Sequence, residues 1–380
     1  MSVVAPLGAP SRAVNPALVN PAVVNPAFVD AVQRLPKADL HCHLDGSLRP
    51  STLLELSLER GLALPATTEA ALGAWMRVDD ARHLEDYLAR FSVTLAVMQD
   101  PASLDRIAYE FVVDAARDGV RYIEARFCPA LHAAGGLSAD EVMTAVLRGL
   151  ARGEAETGTM ARAIVCALRS FPWPHALEMA ELAVAYKGRG VVACDLAGGE
   201  FGNPASAHAL ACDYARQHDL SVTVHAGEGD GPSSIREAVH RCGADRIGHG
   251  TRLREDPSLE AYVIDHRIAL EVCPTSNVQT RVVPTFAEHP LARYVLLGAV
   301  VTLNTDNRLM SGVSLTDEYV RCAQHLHFDL DTLAMLAMSS FDAAFLPHDD
   351  RETLRDAMAE TIGDVLADVG DVTVTLVRHR

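Results

Sequence analysis

Past residue 36 the chain alternates short, β-branched apolar runs with amphipathic stretches of helical period. The apolar runs fall at 38–42, 121–127, 163–169, 190–196, 220–225, 245–249, 268–273 and 299–304. Between them, helical periodicity appears at 104–117, 139–156, 175–186, 204–218, 233–242 and 257–266. Strands that alternate with helices predict a parallel sheet, and eight strands is the number that closes a (β/α)8 TIM barrel. The connection 42–120 is far longer than the others and predicts a helical insertion after the first strand. Helical patterns at 331–346 and 350–367 predict C-terminal helices. Residues 1–30 break the alternation: Val14-Asn15-Pro16-Ala17, Val19-Asn20-Pro21-Ala22 and Val24-Asn25-Pro26-Ala27 recur every five residues. Proline at that spacing prevents a regular helix or central strand, so a flexible or extended tail is expected over 1–30, with 31–380 as a single barrel domain. The tail does not read as a secretory signal, because no basic segment precedes it and prolines interrupt its apolar stretch.

Composition narrows the function. The chain has 380 residues and a formal net charge of −17. That balance argues against a nucleic-acid partner, which needs clustered cations to displace counterions. No apolar run reaches the roughly 18 residues of a membrane span. Eight cysteines are scattered without any C-x-x-C pair, which removes zinc ribbons and thioredoxin-like redox sites and suits reduced core thiols in the cytoplasm. Lys37 and Lys187 are the only lysines. Schiff-base chemistry, a phosphate-loop lysine and a carboxylated lysine bridging two metals therefore have almost nowhere to sit. Nothing resembles a coiled coil, and no obligate protein partner is expected.

Groups able to do chemistry recur where the strands stop. The first run reads Asp39-Leu40-His41-Cys42-His43-Leu44-Asp45-Gly46, the fourth Asp195-Leu196-Ala197-Gly198-Gly199-Glu200, the fifth Val224-His225-Ala226-Gly227-Glu228, the sixth Ile247-Gly248-His249-Gly250, and the eighth Leu303-Asn304-Thr305-Asp306-Asn307. In a barrel these C-terminal ends share one mouth, where active sites lie. His41 and His43 are two apart on a strand, so both rings point to one side. H-x-H alone is a weak signal. His225 and Asp306, at two further strand ends, complete three histidines and one carboxylate, a set that suits one Zn²⁺ with a position open for water. Glu228 alone reads as a surface or capping residue; beside a metal ligand, with Gly227 allowing a sharp turn, it reads as a carboxylate brought back over the metal. His249 lies between two glycines, an unusual place for a packed core histidine.

As a set, these motifs with Cys273-Pro274-Thr275-Ser276-Asn277 resemble the adenosine deaminase family over about residues 36–350. The resemblance implies a (β/α)8 barrel with one zinc per chain, held by His41, His43, His225 and Asp306. It implies that Glu228 protonates the purine at N1, and that His249 orients the attacking water and helps to deprotonate it, with Asp306 holding that water in line. His43, Asp45, Gly198 and Asn307 would meet the substrate, Asp45 at a sugar hydroxyl and the Gly198 N–H at N3. The 42–120 insertion would cover the mouth. Many family members carry two aspartates where this chain reads Asp306-Asn307. A carboxylate only accepts at N7 unless protonated, whereas an Asn amide donates there outright.

The implied reaction is zinc-dependent hydrolysis of adenosine and 2′-deoxyadenosine to inosine or deoxyinosine and ammonia, as in purine salvage. Alternatives within the class are a modified adenine nucleoside such as 6-aminodeoxyfutalosine, or free adenine. A two-metal cyclic amidohydrolase is disfavoured by the missing lysine at the fourth strand end, and a non-catalytic binding protein by retention of the full ligand, acid and base set.

Overall fold

The computed structural model describes residues 24–79 and 84–369. Eight parallel strands form one sheet in sequential order: β1 (Lys37–His43), β2 (Val120–Phe127), β3 (Met160–Leu168), β4 (Val191–Ala197), β5 (Ser221–Ala226), β6 (Arg246–His249), β7 (Ala269–Val272) and β8 (Val301–Leu303). All eight predicted strands are present, with β8 shorter than the predicted 299–304. The barrel comes back to its start just past β8, where Cys42 bridges Asp306. Two backbone bonds make that seam, from the His43 N–H to the Asp306 carbonyl at 2.7 Å and from the Asp306 N–H to the His41 carbonyl at 2.8 Å. Closure thus sets Asp306 against His41 and His43, although 263 residues separate Asp306 from His43 in sequence.

Helices surround the sheet and bury their apolar stripes on it. The helix Ala139–Thr157 has a capping box at Ser138 and Glu141 and ends on Gly158 in the left-handed region, the standard start and stop chemistry of a helix. The predicted helix 204–218 is divided into a 3-10 turn, Ala205–His208, and a helix, Ala209–Gln217. The insertion contains helices Pro50–Glu59, Glu69–Met76, Leu84–Leu88 and Phe91–Leu95, followed by Pro101–Arg117, and the C-terminal helices run Leu330–Asp342 and His348–Val369.

The tail expectation needs correction at its C-terminal end. Pro26–Arg34 is a helix, with Asn25 accepting from the Phe28 N–H at 2.7 Å and Phe28, Ala31 and Val32 buried. The third Asn-Pro is an N-cap followed by proline at the first helical position, where the missing N–H costs nothing. Beyond its C-terminal end, buried Lys37 donates to the carbonyls of Val32 and Leu35 at 2.9 and 2.8 Å. Residues 1–23 of the tail lie outside the described residues. All eight cysteines are free and buried. Among the described residues, no helix is long and apolar enough to cross a membrane.

Candidate active site

The inside of the barrel beneath the strand ends is charged. Arg126 reaches from β2 to Asp195 on β4 at 3.2 Å and to Glu271 on β7 at 2.8 Å. Arg246 on β6 bonds Glu271 at 2.6 Å and also pairs with Glu124 on β2. All five side chains are buried. Two guanidinium groups thus face three carboxylates, and this layer carries one carboxylate more than it has cationic partners.

Two of those carboxylates orient histidines. His41 Nδ1 donates to Glu271 Oε2 at 2.8 Å, and His225 Nδ1 donates to Asp195 Oδ1 at 3.1 Å. A neutral imidazole that donates through Nδ1 keeps a lone pair at Nε2. The Nε2 atoms of His43 and His225 lie 3.2 Å apart. Asp306 Oδ1 is 3.6 Å from His41 Nε2 and 3.5 Å from His43 Nε2. His41 Nε2 is buried without a hydrogen-bond partner. Lone pairs directed at one small space, beside a carboxylate and above a layer with an excess anion, fit a cation. The donor atoms of His41, His43 and His225 lie within 4.8 Å of one another, as do those of His41, His249 and Asp306. Burial, reinforced by Arg126 and neighbouring rings, holds His41 and His249 well below the ordinary imidazole range. Neutral nitrogen is the form that binds a metal.

A small cavity lies over this cluster. His43, Gly198, His225, Glu228, His249, Asp306 and Asn307 line it, and Leu84, Tyr87, Leu88 and Phe91 of the insertion form its cover. Glu228 Oε2 is 3.4 Å from His249 Nε2. His249 and Asp306 have φ of 63° and 58°. Non-glycine residues in the left-handed region cost about 1–3 kcal/mol each and are retained where the surroundings demand the conformation. Gly227 has φ of 79°, and a Cβ there would meet Ile235 Cδ1 at 2.5 Å, so glycine favours the turn that returns Glu228 to the cavity. Asn307 lays its Oδ1 against Gly46, where a Cβ would come within 1.7 Å of it, so the amide nitrogen is the end directed away from Gly46. Asp45 is set back from the lining; its Oδ1 is buried without a partner, and burial raises its carboxyl to about 7.

Several residues escaped the sequence reading. Glu200 accepts four consecutive backbone N–H groups: Gly227 at 2.6 Å on Oε1, then Glu228, Gly229 and Asp230 at 3.0, 2.7 and 3.1 Å on Oε2. It clamps the loop that carries Glu228. The strand-end motifs do not mark Arg126, Glu124, Glu271 and Arg246 either, nor the role of Asp195. A signal existed in Glu124-Ala125-Arg126: charges two apart on a strand buried on both sides point into the barrel.

The family model described as adenosine deaminase matches residues 36–361. The chain belongs to the adenosine deaminase family. The adenosine deaminase of Mycobacterium avium is 42% identical over 348 residues, covering 86% of this chain and 95% of that protein. The crystal structure of an adenine deaminase from Arthrobacter aurescens superposes with a TM-score of 0.80 at 27% identity, covering 86% of this chain and 99% of the other. A zinc-bound amidohydrolase from Burkholderia ambifaria superposes at 0.83 with 25% identity, covering 92% and 98%. This family member is a hydrolytic deaminase enzyme, and its His/Asp cluster can hold a metal ion.

Proposed function

We propose that the chain hydrolyses adenosine and 2′-deoxyadenosine to inosine or deoxyinosine and ammonia, in the cytoplasm, with one zinc ion held by His41, His43, His225 and Asp306. The observation that carries this is the convergence of three imidazole nitrogens and the Asp306 carboxylate beneath the Glu228–His249 pair in one covered cavity. A zinc ion held there supplies Lewis acidity, which makes water a nucleophile at neutral pH.

The chain's own groups do the rest. Glu228 delivers a proton to N1 of the purine, so that the adjacent C6 becomes electrophilic. His249 and Asp306 fix the attacking water below C6. Asn307 donates its amide hydrogen to N7, and the Gly198 N–H meets N3. His43 forms part of the cavity wall against the substrate. The partnerless Asp45 oxygen accepts from a sugar hydroxyl, which favours a nucleoside over free adenine. No Lys or Arg is among the described lining residues, which favours a nucleoside over a nucleotide. Leu84, Tyr87, Leu88 and Phe91 keep bulk water from the reacting carbon.

Initial rates for adenosine, 2′-deoxyadenosine, adenine and 6-aminodeoxyfutalosine, measured side by side by ammonia release, test this assignment. The two nucleosides should have the highest kcat/KM. A preference for adenine or for the 5′-extended nucleoside would move the substrate to one of the alternatives.

A further inference from the structure

The orientation of His249 follows from a chain of hydrogen bonds that starts at an unambiguous donor. The backbone N–H of Leu291 donates to His289 Nδ1 at 3.1 Å. His289 is buried, and burial pushes its imidazole down to about 3, so the ring is neutral and its proton is on Nε2. That Nε2–H lies 3.1 Å from Asn277 Oδ1, which also accepts from Thr251 Oγ1 at 2.9 Å. With Oδ1 committed to two donors, the Asn277 amide nitrogen faces His249 Nδ1 at 3.1 Å. The amide nitrogen only donates, so His249 Nδ1 must accept. The proton of the neutral His249 ring is then on Nε2, the atom that points toward Glu228.

We propose that Asn277, oriented by His289 and Thr251, is a positioning residue that locks His249 as the Nε2–H tautomer. His249 then gives a hydrogen bond to the oxygen that attacks the substrate and has no lone pair at Nε2 with which to take its proton. This revises the expectation that His249 helps to deprotonate the water. The proton goes to Glu228, whose carboxylate is 3.4 Å from the same nitrogen. The water O–H bond breaks toward Glu228, the hydroxide oxygen bonds to C6, the C6–N1 π pair moves to N1, and Glu228 passes the proton on to N1. One carboxylate thereby acts first as base and then as acid, with no change in net charge. The inference rests on the deaminase reading of this cavity.

The test uses the zinc-loaded protein with ¹⁵N-labelled histidine. Long-range ¹⁵N–¹H spectra distinguish a protonated ring nitrogen from a bare one, and His249→Gln identifies the His249 signals by their loss. The parent should show His249 protonated at Nε2 and bare at Nδ1. In Asn277→Asp the carboxylate accepts from Nδ1 and should move the proton there. A histidine held in the wrong tautomer costs about 10⁴-fold in turnover in a serine protease, so kcat should fall by at least about 10²-fold, with KM and zinc content nearly unchanged. A parent spectrum with the proton on Nδ1 overturns the proposal, and it does so even should the variant fail to fold. Parent-level kcat in a folded variant whose proton has moved overturns it as well. Ammonia release from adenosine by the parent tests the underlying deaminase reading separately.

Discussion

Glu200→Gln probes how the general acid is held. Glu200 is buried, and its carboxylate accepts from the N–H groups of residues 227 to 230. Glutamine has the same shape but one acceptor oxygen. Placed where Oε2 stands, that oxygen keeps the bonds to Glu228, Gly229 and Asp230. The amide nitrogen then faces the Gly227 N–H, donor against donor. A hydrogen bond to a charged group contributes about 1.5–3 kcal/mol, and the three retained bonds weaken as their acceptor loses its charge, so a loss of about 3 kcal/mol is expected. In a chain of this size that lowers Tm by roughly 5 °C. Because the loop carries Glu228, a displacement of about 1 Å should reduce kcat by about 10²-fold. Zinc content should stay at the parent level, since none of the lost bonds involves a metal-binding side chain. The measurements are kcat and KM for adenosine, differential scanning calorimetry and elemental zinc. A variant with parent kcat and parent Tm would refute the idea that Glu200 positions Glu228.

Glu228→Gln keeps the shape of the acid but cannot transfer its proton; substrate should still bind by calorimetric titration, while turnover falls by at least about 10²-fold. Asn307→Ala should lower kcat/KM for adenosine by roughly 5- to 150-fold, the equivalent of about 1–3 kcal/mol for a lost hydrogen bond, and should change 7-deazaadenosine little, since that substrate lacks N7; equal losses on both would make Asn307 a support for Asp306 instead. Glu318 is buried and its carboxyl is raised by burial from 4.5 to about 8. The folded state therefore holds this proton longer than the unfolded state, so the group's stabilisation is full below about pH 4.5 and is lost as pH rises through about 8. Glu318→Gln should flatten that part of the stability profile in denaturant titrations, and an unchanged profile would show that Glu318 is not its source.

The alternation of strand and helix made the barrel legible in the sequence, because a parallel strand buried on both faces reads as a continuous apolar run. It also brought His43, Gly198, His225, Glu228, His249, Asp306 and Asn307 to one mouth, where they line one cavity, and His41 to the buried cluster beside His43, His225, His249 and Asp306. What escaped is of two kinds. Arg126, Glu271 and Asp195 meet only when the barrel closes, and nothing local in Leu270-Glu271-Val272 marks that carboxylate as a partner of His41. Glu200 and Asn277 act through backbone groups or other side chains, and their residue types are common at loops and helix starts for local reasons. The helix Pro26–Arg34 was missed for a different reason. Proline breaks a helix in its interior, but after a capping Asn it also begins one.

The most direct test of the whole account is a zinc titration of metal-stripped protein, followed by the conversion of adenosine to inosine. Activity should be absent without metal, rise linearly with added zinc and saturate at one equivalent per chain, with ammonia released in equal amount to inosine. Saturation at two equivalents, or full turnover by the stripped protein, would contradict a single zinc centre built from His41, His43, His225 and Asp306.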